Sequence, residues 1–421
     1  MNKIRQYFTT FVLIRGLMIA MLGSAFIYLN YWGLSYPLFN TFLGLLSLYL
    51  LLPSNTATWF ISGALMGLFW FWWIALSLIH YDMLWAVPIE VFIIMLSYGL
   101  LFAFIAKIST FFVGCCQGTI PHLVSLATKA IGLLFLSYVH PFSFDWFKPE
   151  LMFVESYCGI EKWQYVIILT TIILSLWRKS ILYMLIISLA YQPLTSHISK
   201  VTPNIALTTT HTSVKDKWDT NKHQAQFDAI LQTIDEAITN KKSLIILPES
   251  VFPIFLNRDK TLLKVLEERA KHISIVVGAL YWDGKTPRNS TYIFTKGSIK
   301  VANKVVLVPF GEANPLPDFL SDWVNEVFYD NAVDYKADSN VTDYVIDGIT
   351  YRNAICFEAT SEKLYEGHPQ QMIVLSNNGW FTPSIEPILQ KLLLQYYSKK
   401  YGTTIYHSVN MSESYIIHNK E

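Results

Sequence analysis

Three stretches of this chain carry residue types that could act together. Asn353-Ala354-Ile355-Cys356-Phe357-Glu358 is a short apolar run that delivers one thiol, with an acid two residues on. Leu244-Ile245-Ile246-Leu247-Pro248-Glu249 is a second apolar run, ending on a carboxylate. Asn303-Lys304-Val305-Val306-Leu307-Val308-Pro309-Phe310-Gly311-Glu312 supplies an ammonium and, further on, another acid. A thiol is a weak nucleophile until it becomes a thiolate; a neighbouring ammonium favours that form and a carboxylate can take the proton. Glu249 as general base and then acid, Lys304 as the cation facing first the thiolate and then a tetrahedral oxyanion, and Cys356 as nucleophile would make a complete set for covalent catalysis. Each also has a plain structural alternative. A lone buried cysteine usually packs, and acids and lysines at strand ends are usually solvated. Position alone does not choose between the two.

The elements that must aim these residues begin at Pro203, where the texture becomes alternating strands and helices. Strands are predicted over 204–209, 244–247, 273–280, 290–295, 299–308, 344–346, 350–357, 372–376, 403–409 and 415–418. Helices are predicted over 221–240, with Phe227, Ile230, Leu231, Ile234 and Ile238 at helical spacing, over 260–272, and over 385–401, closed by Gly402. Asp347-Gly348 is a strong hairpin turn pair. Mixed elements of this kind imply a layered α/β sandwich, with all three chemical residues at strand ends. The Asn-x-Ser/Thr triplets at Asn289, Asn340 and Asn410 read as coincidental.

The first half of the chain is of another kind. Residues 1–200 carry 16 charged side chains, whereas 201–421 carry 47. For the whole chain 15% of residues are charged and 52% hydrophobic, against about a quarter charged in an average soluble protein. Apolar stretches at about 8–29, 36–53, 58–79, 86–106, 120–140, 162–177 and 180–194 suggest seven spanning helices, the fifth interrupted by Lys129. Lys3, Arg5, Lys107, Arg178 and Lys179 fall on one side, which the positive-inside rule makes cytoplasmic. An odd number of spans then places the second half outside the cytoplasm, with residues 1–195 as membrane domain and 196–421 as catalytic domain. Trp70, Phe71, Trp72, Trp73, Trp146 and Phe147 are expected to form an interfacial belt or, more sharply, a wall of a lipid-facing cleft. Glu90 lies near the start of the fourth stretch, within reach of the interface. The net charge of +1 and the lack of a basic stripe give no sign of a nucleic-acid partner. Cys115 and Cys116 read as packing residues, the cysteines and histidines have no metal spacing, and no cofactor motif is present.

The order Glu249, Lys304, Cys356, in the contexts LPES, NKVVLVPFGE and ICFE, resembles the nitrilase superfamily, whose Glu-Lys-Cys triad sits in an αββα sandwich. More narrowly, a polytopic membrane half followed by LVPFGE, AICFE and SNNGWF resembles the bacterial apolipoprotein N-acyltransferase family, and the likeness includes IALTTTHTSVKDKW. The resemblance implies an inner-membrane enzyme that works on the periplasmic side without a cofactor. Cys356 would take an acyl chain from the sn-1 ester of a phospholipid such as phosphatidylethanolamine, as a thioester. It would then pass the chain to the α-amine of a diacylglyceryl-cysteine lipoprotein. The alternative implied by the same triad is a membrane-tethered amidase, with water in place of that amine. Glu312 would orient Lys304, and Glu358, Trp380 and Asn377 match family positions near the nucleophile. Two positions depart from the pattern: Phe357 stands where the family often has tyrosine, and Asn378 where it has an acid. No apolar run of about 20 residues precedes Glu421, so the domain is expected to hang from one tether.

Overall fold

The computed structural model describes residues 9–114, 121–193, 196–200, 202–314 and 334–419. Lys3, Arg5, Cys115, Cys116 and Glu421 lie outside them. The chain forms two compact units, and the division is not a single cut at residue 195. The first unit comprises Met1–Pro141, Asp145–Leu194 and Pro383–Tyr396; the second comprises Phe142–Phe144, Thr195–Thr382 and Tyr397–Glu421.

The first unit is helical: α1 Thr10–Tyr31, α2 Pro37–Leu51, α3 Thr56–Phe71, α4 Val87–Gly114, α5 Pro121–Leu136 and α6 Lys162–Arg178. A 3-10 run, Trp72–Tyr81, continues α3, and another, Ile181–Ala190, follows α6. All seven predicted stretches are therefore helical. Four helical segments, Thr10–Tyr31, Thr56–Tyr81, Leu84–Gly114 and Pro121–Ser143, are long and apolar enough to cross a membrane; Pro37–Leu51 and Ile181–Ala190 are shorter apolar helices. At 1.5 Å per residue the 15 residues of α2 span only about 22 Å of a hydrocarbon core about 30 Å thick.

Lys129 does not break α5. Its side chain is buried and donates to the carbonyls of Leu52 (3.1 Å) and Ser54 (2.7 Å). Arg15 of α1 joins it there, donating to Leu50 O at 3.0 Å and Ser54 Oγ at 2.8 Å. Two cations thus satisfy the orphan carbonyls and the negative dipole end of α2. Glu90 sits in the first turn of α4, the favourable end for an acid.

The aromatic expectation is corrected. Trp70, Phe71, Trp73, Trp146 and Phe147 are buried and pack on one another and on Tyr98: Trp70–Phe147 at 4.8 Å, Tyr98–Phe147 at 5.0 Å, Phe71–Tyr98 at 5.2 Å and Trp73–Trp146 at 5.3 Å between ring centres. These five are core of this unit, neither a belt nor a lipid-facing wall, while Trp72 is half-buried. Hydropathy cannot separate these because a ring gains as much from neighbouring rings as from lipid.

The second unit contains two sheets among its described residues. The strands that matter below are β4 Leu244–Ile246, β6 Ser274–Trp282, β7 Pro287–Thr295, β8 Ser298–Asn303, β10 Ile349–Ile355, β11 Gln371–Asn377 and β12 Thr404–Asn410. With β1 Ser196–Ser199, β2 Ile205–Leu207, β3 Thr209–Thr210, β5 Phe252–Phe255, β9 Asp343–Ile346 and β13 Tyr415–Asn419, one sheet runs β1-β13-β12-β11-β10-β9 with β3 beside β12; the other runs β2-β4-β6-β7-β8 with β5 beside β6. Leu244, Ile246, Val276, Ile293 and Ala302 of one sheet share a buried cluster with Tyr344, Ile346, Tyr351, Ile373 and Leu375 of the other, so the sheets pack face to face. The opposite face of the first of these, with Ile245, Val277 and Phe294, is covered by Ile230, Ile234 and Ala237 of α8 (His223–Thr239) and by Leu262 and Leu266 of α9 (Lys260–Arg269). Tyr397 and Tyr401, ending α10 (Glu386–Tyr401), stack on Tyr365 at 4.8 and 5.2 Å. The fold is the layered α/β sandwich that the sequence suggests. Two strands lack sequence signal: β1 Ser196–Ser199, which pairs with β13, and β5 Phe252–Phe255.

Candidate active site

Strands β2, β4 and β6 run parallel in one sheet, and β10, β11 and β12 in the other. Their carboxyl ends carry Glu249, Cys356, Asn377 and Asn410. Side chains meet at such ends because the chain leaves the sheet there and is released from the ladder. Strand β7 returns antiparallel to β6, with Asn289 opposite Leu280, and β8 is antiparallel to β7. The start of β7 and the end of β8 therefore arrive at the same edge as Glu249.

Glu249 is buried. Its Oε1 accepts from Asn289 Nδ2 at 2.7 Å, and the same amide donates to Glu312 Oε1 at 2.8 Å. Glu312 Oε2 lies 2.7 Å from Lys304 Nζ and accepts from Val308 N at 2.9 Å. Lys304 is 1% exposed. Burial alone would pull its pKa down, but Glu312, Glu249 and Cys356 outweigh that and hold the ammonium above the ordinary lysine range. Glu249 moves up: burial is the main cause, opposed by Lys304, reinforced by Glu312, and opposed again by Asn289 and Lys217. A carboxylate with raised proton affinity, a permanently charged lysine and a thiol within its field can pass a proton from sulfur to carboxylate and stabilise negative charge on a reacting oxygen.

Strand β8 is shorter than the predicted 299–308. It ends at Asn303. Lys304 N still bonds to β7, at Asn289 O (2.9 Å), but the next donors leave the ladder: Val305 N and Val306 N go to Glu358 Oε2 (2.7 and 3.1 Å). Glu358 Oε1 accepts from Ile355 N at 2.8 Å. One buried carboxylate thus joins the corner after β8 to the corner after β10. Burial pushes its pKa up to about 7 against Lys304 and three backbone donors that pull it down. Strand β10 likewise ends at Ile355, not at Phe357. Cys356 opens a 3-10 turn, Cys356–Thr360, in the left-handed region at φ 53°. Ser250 (φ 47°), next to Glu249, and Phe310 (φ 61°), two residues before Glu312, share that uncommon conformation.

Phe357 is buried and stacks on Phe144 at 5.6 Å, while Phe142 meets Phe310 edge-on at 6.1 Å. Asn377 Oδ1 accepts from Gly379 N (3.3 Å) and Asn410 Nδ2 (2.7 Å), tying the ends of β11 and β12 together. Asn378 is buried and donates to Ser412 Oγ at 3.1 Å. Trp380 is half-buried and ends the turn Asn378–Trp380. Two contributors escaped sequence reasoning. Asn289 appeared only as part of a sequon, and its bridging position follows from β6–β7 register. Lys217, inside the KDKW segment, is buried and donates to Glu249 O at 3.0 Å.

Residues 10–194 match the family described as the apolipoprotein N-acyltransferase integral membrane domain. The apolipoprotein N-acyltransferase of Wolinella succinogenes is 39% identical over 406 residues, covering 94% of this chain and 94% of that one. The Helicobacter pylori enzyme of the same name is 34% identical, covering 87% and 84%, and the Campylobacter jejuni one 33% identical, covering 99% and 92%. Among solved structures, a CN-hydrolase superfamily protein from Xanthomonas campestris aligns with 49% of this chain and 75% of its own, at 15% identity and a TM-score of 0.37.

Proposed function

This chain belongs to the apolipoprotein N-acyltransferase family, and from that premise we propose that Glu249, Lys304 and Cys356 carry out a two-step acyl transfer. Cys356 gives its proton to Glu249 and attacks the sn-1 ester of a phospholipid, phosphatidylethanolamine being the donor we favour. Lys304 faces the oxyanion that forms, and Glu249 returns the proton to the departing lysophospholipid. The α-amine of a diacylglyceryl-cysteine lipoprotein then attacks the thioester, loses its proton to Glu249, and leaves as an amide while the thiol re-forms. Glu312 orients Lys304 and Asn289 orients Glu249. Asn377 and Trp380 support the same edge of the sheet.

The observation that supports this most is the set Glu249–Asn289–Glu312–Lys304, linked in series by contacts of 2.7 to 2.8 Å, with Cys356 inside the field of the lysine. Buried, mutually perturbing ionisable groups of this kind cluster at functional sites. The enzyme is an integral membrane protein. In our reading all seven helical stretches cross the inner membrane and the sandwich faces the periplasm, as the basic residues Lys107, Arg178 and Lys179 suggest.

The test is the mass of the intact protein. With phosphatidylethanolamine vesicles and no acceptor, Cys356 should gain one acyl chain, labile to neutral hydroxylamine. A diacylglyceryl-cysteine peptide should then discharge that chain onto its own amine. Discharge to water alone would favour an amidase. No adduct with any donor, together with full activity of Cys356→Ala, would refute the triad.

A further inference from the structure

We propose that Lys217 is a positioning residue for Glu249: its ammonium, seated on the Glu249 backbone carbonyl, fixes the corner from which that carboxylate works and adds a second positive charge that favours its ionised form. The proposal rests on Glu249 acting as the base. A lysine is almost never fully buried unless paired, yet Lys217 is 2% exposed. It ends the four-residue helix Val214–Lys217, whose start is capped by Ser213 Oγ accepting from Asp216 N at 3.1 Å. Its own backbone is held from both sides, with N donating to Ser213 O at 2.9 Å and O facing the His223 ring at 3.2 Å. The side chain is thereby anchored at its base and aimed inward at a residue 32 positions away.

The receiving corner is shaped for this contact. Pro248-Glu249-Ser250 passes so close to β6 that a Cβ on Gly278 would lie 2.5 Å from Ser250 N, 2.7 Å from Glu249 Cα and 2.8 Å from Pro248 O. With the backbone pressed against glycine on one side and Lys217 on its carbonyl, Glu249 can swing only at its side chain, and Asn289 holds that. The ionisable groups interacting with Glu249 are Lys304 from the end of β8, Glu312 from the loop beyond it, and Lys217; Cys356 acts on Lys304. Asp216 and Lys222, on the outside of the Lys217 turn, pair with each other. Lys217 is the cation in this set that contacts no carboxylate directly. Burial draws its pKa down to about 8, partly opposed by Glu249, so it is charged at neutral pH.

Removing the charge should raise the proton affinity of Glu249. The experiment follows single-turnover acylation of Cys356 in the full-length, membrane-reconstituted protein across acidic to neutral pH, for wild type, Lys217→Met and Lys217→Gln. The acidic limb should move to higher pH by about 1 unit in Lys217→Met, a roughly tenfold loss below the limb that recovers above it. A limb that stays in place, whether the rate is unchanged or lowered equally at every pH, would reduce Lys217 to a packing residue. Where Lys217→Met fails to fold, Lys217→Gln decides, since it keeps a donor for the carbonyl without the charge. A displaced limb supports the proposal and a wild-type limb overturns it. Glu249→Gln separates the two readings: if it acylates Cys356 at the wild-type rate, Glu249 is not the base and the assignment beneath the proposal fails.

Discussion

Lys304 is enclosed by Glu312 and Glu249, and its charge is what a developing oxyanion would meet. Lys304→Met keeps the stem and deletes that charge. Glu312 retains Val308 N and Asn289 as partners, so the variant should fold. Its acylation rate should fall roughly a hundred- to a thousand-fold, about 3–4 kcal/mol of barrier. Near-normal turnover at normal abundance would make Lys304 a structural cation only. At this scale the sequence exposed the residues that end apolar runs, because a charge at the end of a strand stands out against its neighbours. Asn289 and Lys217 stayed hidden. One enters through strand register and the other through a loop-to-corner contact, and neither leaves a periodic mark.

Elements bring these residues to one edge only if their corners can approach. Gly278 lies in mid-strand, where glycine ordinarily weakens a sheet, and the Pro248–Ser250 corner occupies the place of its absent side chain. Gly278→Ala should push Glu249 away from Asn289. We expect it to cost at least tenfold in acylation and to lower the melting temperature, whereas the exposed Gly284→Ala, with nothing near its Cβ site but a φ of +100°, should affect melting alone. Equal behaviour of the two would sever the link from Gly278 to Glu249. The hairpin at Asp347-Gly348 was legible, because both residues need positive φ (49° and 83°) and their types advertise it. The end of β8 was not legible. Its apolar letters run on through Val308, but a carboxylate 53 residues away claims the backbone donors.

For the whole molecule, the charge asymmetry marks where the apolar helices give way to strands, but hydropathy could not say which rings face each other. Reporter fusions at the C-terminus should be active only when the reporter works outside the cytoplasm; activity solely in the cytoplasm would overturn the periplasmic assignment. Stability should also carry a mark of His407. This ring is buried against Ser376 Oγ (2.7 Å) and Tyr415, and burial holds its pKa down to about 3. Between about 3 and the ordinary value of 6.5 the unfolded chain takes a proton that the folded one refuses. His407 therefore makes stability fall as pH drops below about 6.5, by up to about 1.4 kcal/mol per unit. Melting curves of His407→Gln should be flatter across that range; parallel curves would show that the ring titrates normally.

The carboxylate of Glu358 has a further consequence, for the timing of local opening. Because Ile355 N, Val305 N and Val306 N all end on its two oxygens, the corners bearing Cys356 and Lys304 cannot open independently. Their amides should exchange with deuterated solvent as one cooperative group, with similar opening free energies, although some 50 residues separate them in the chain. Glu358→Gln, which offers one acceptor oxygen where three donors converge, should release at least one corner and split the group into separate exchange rates.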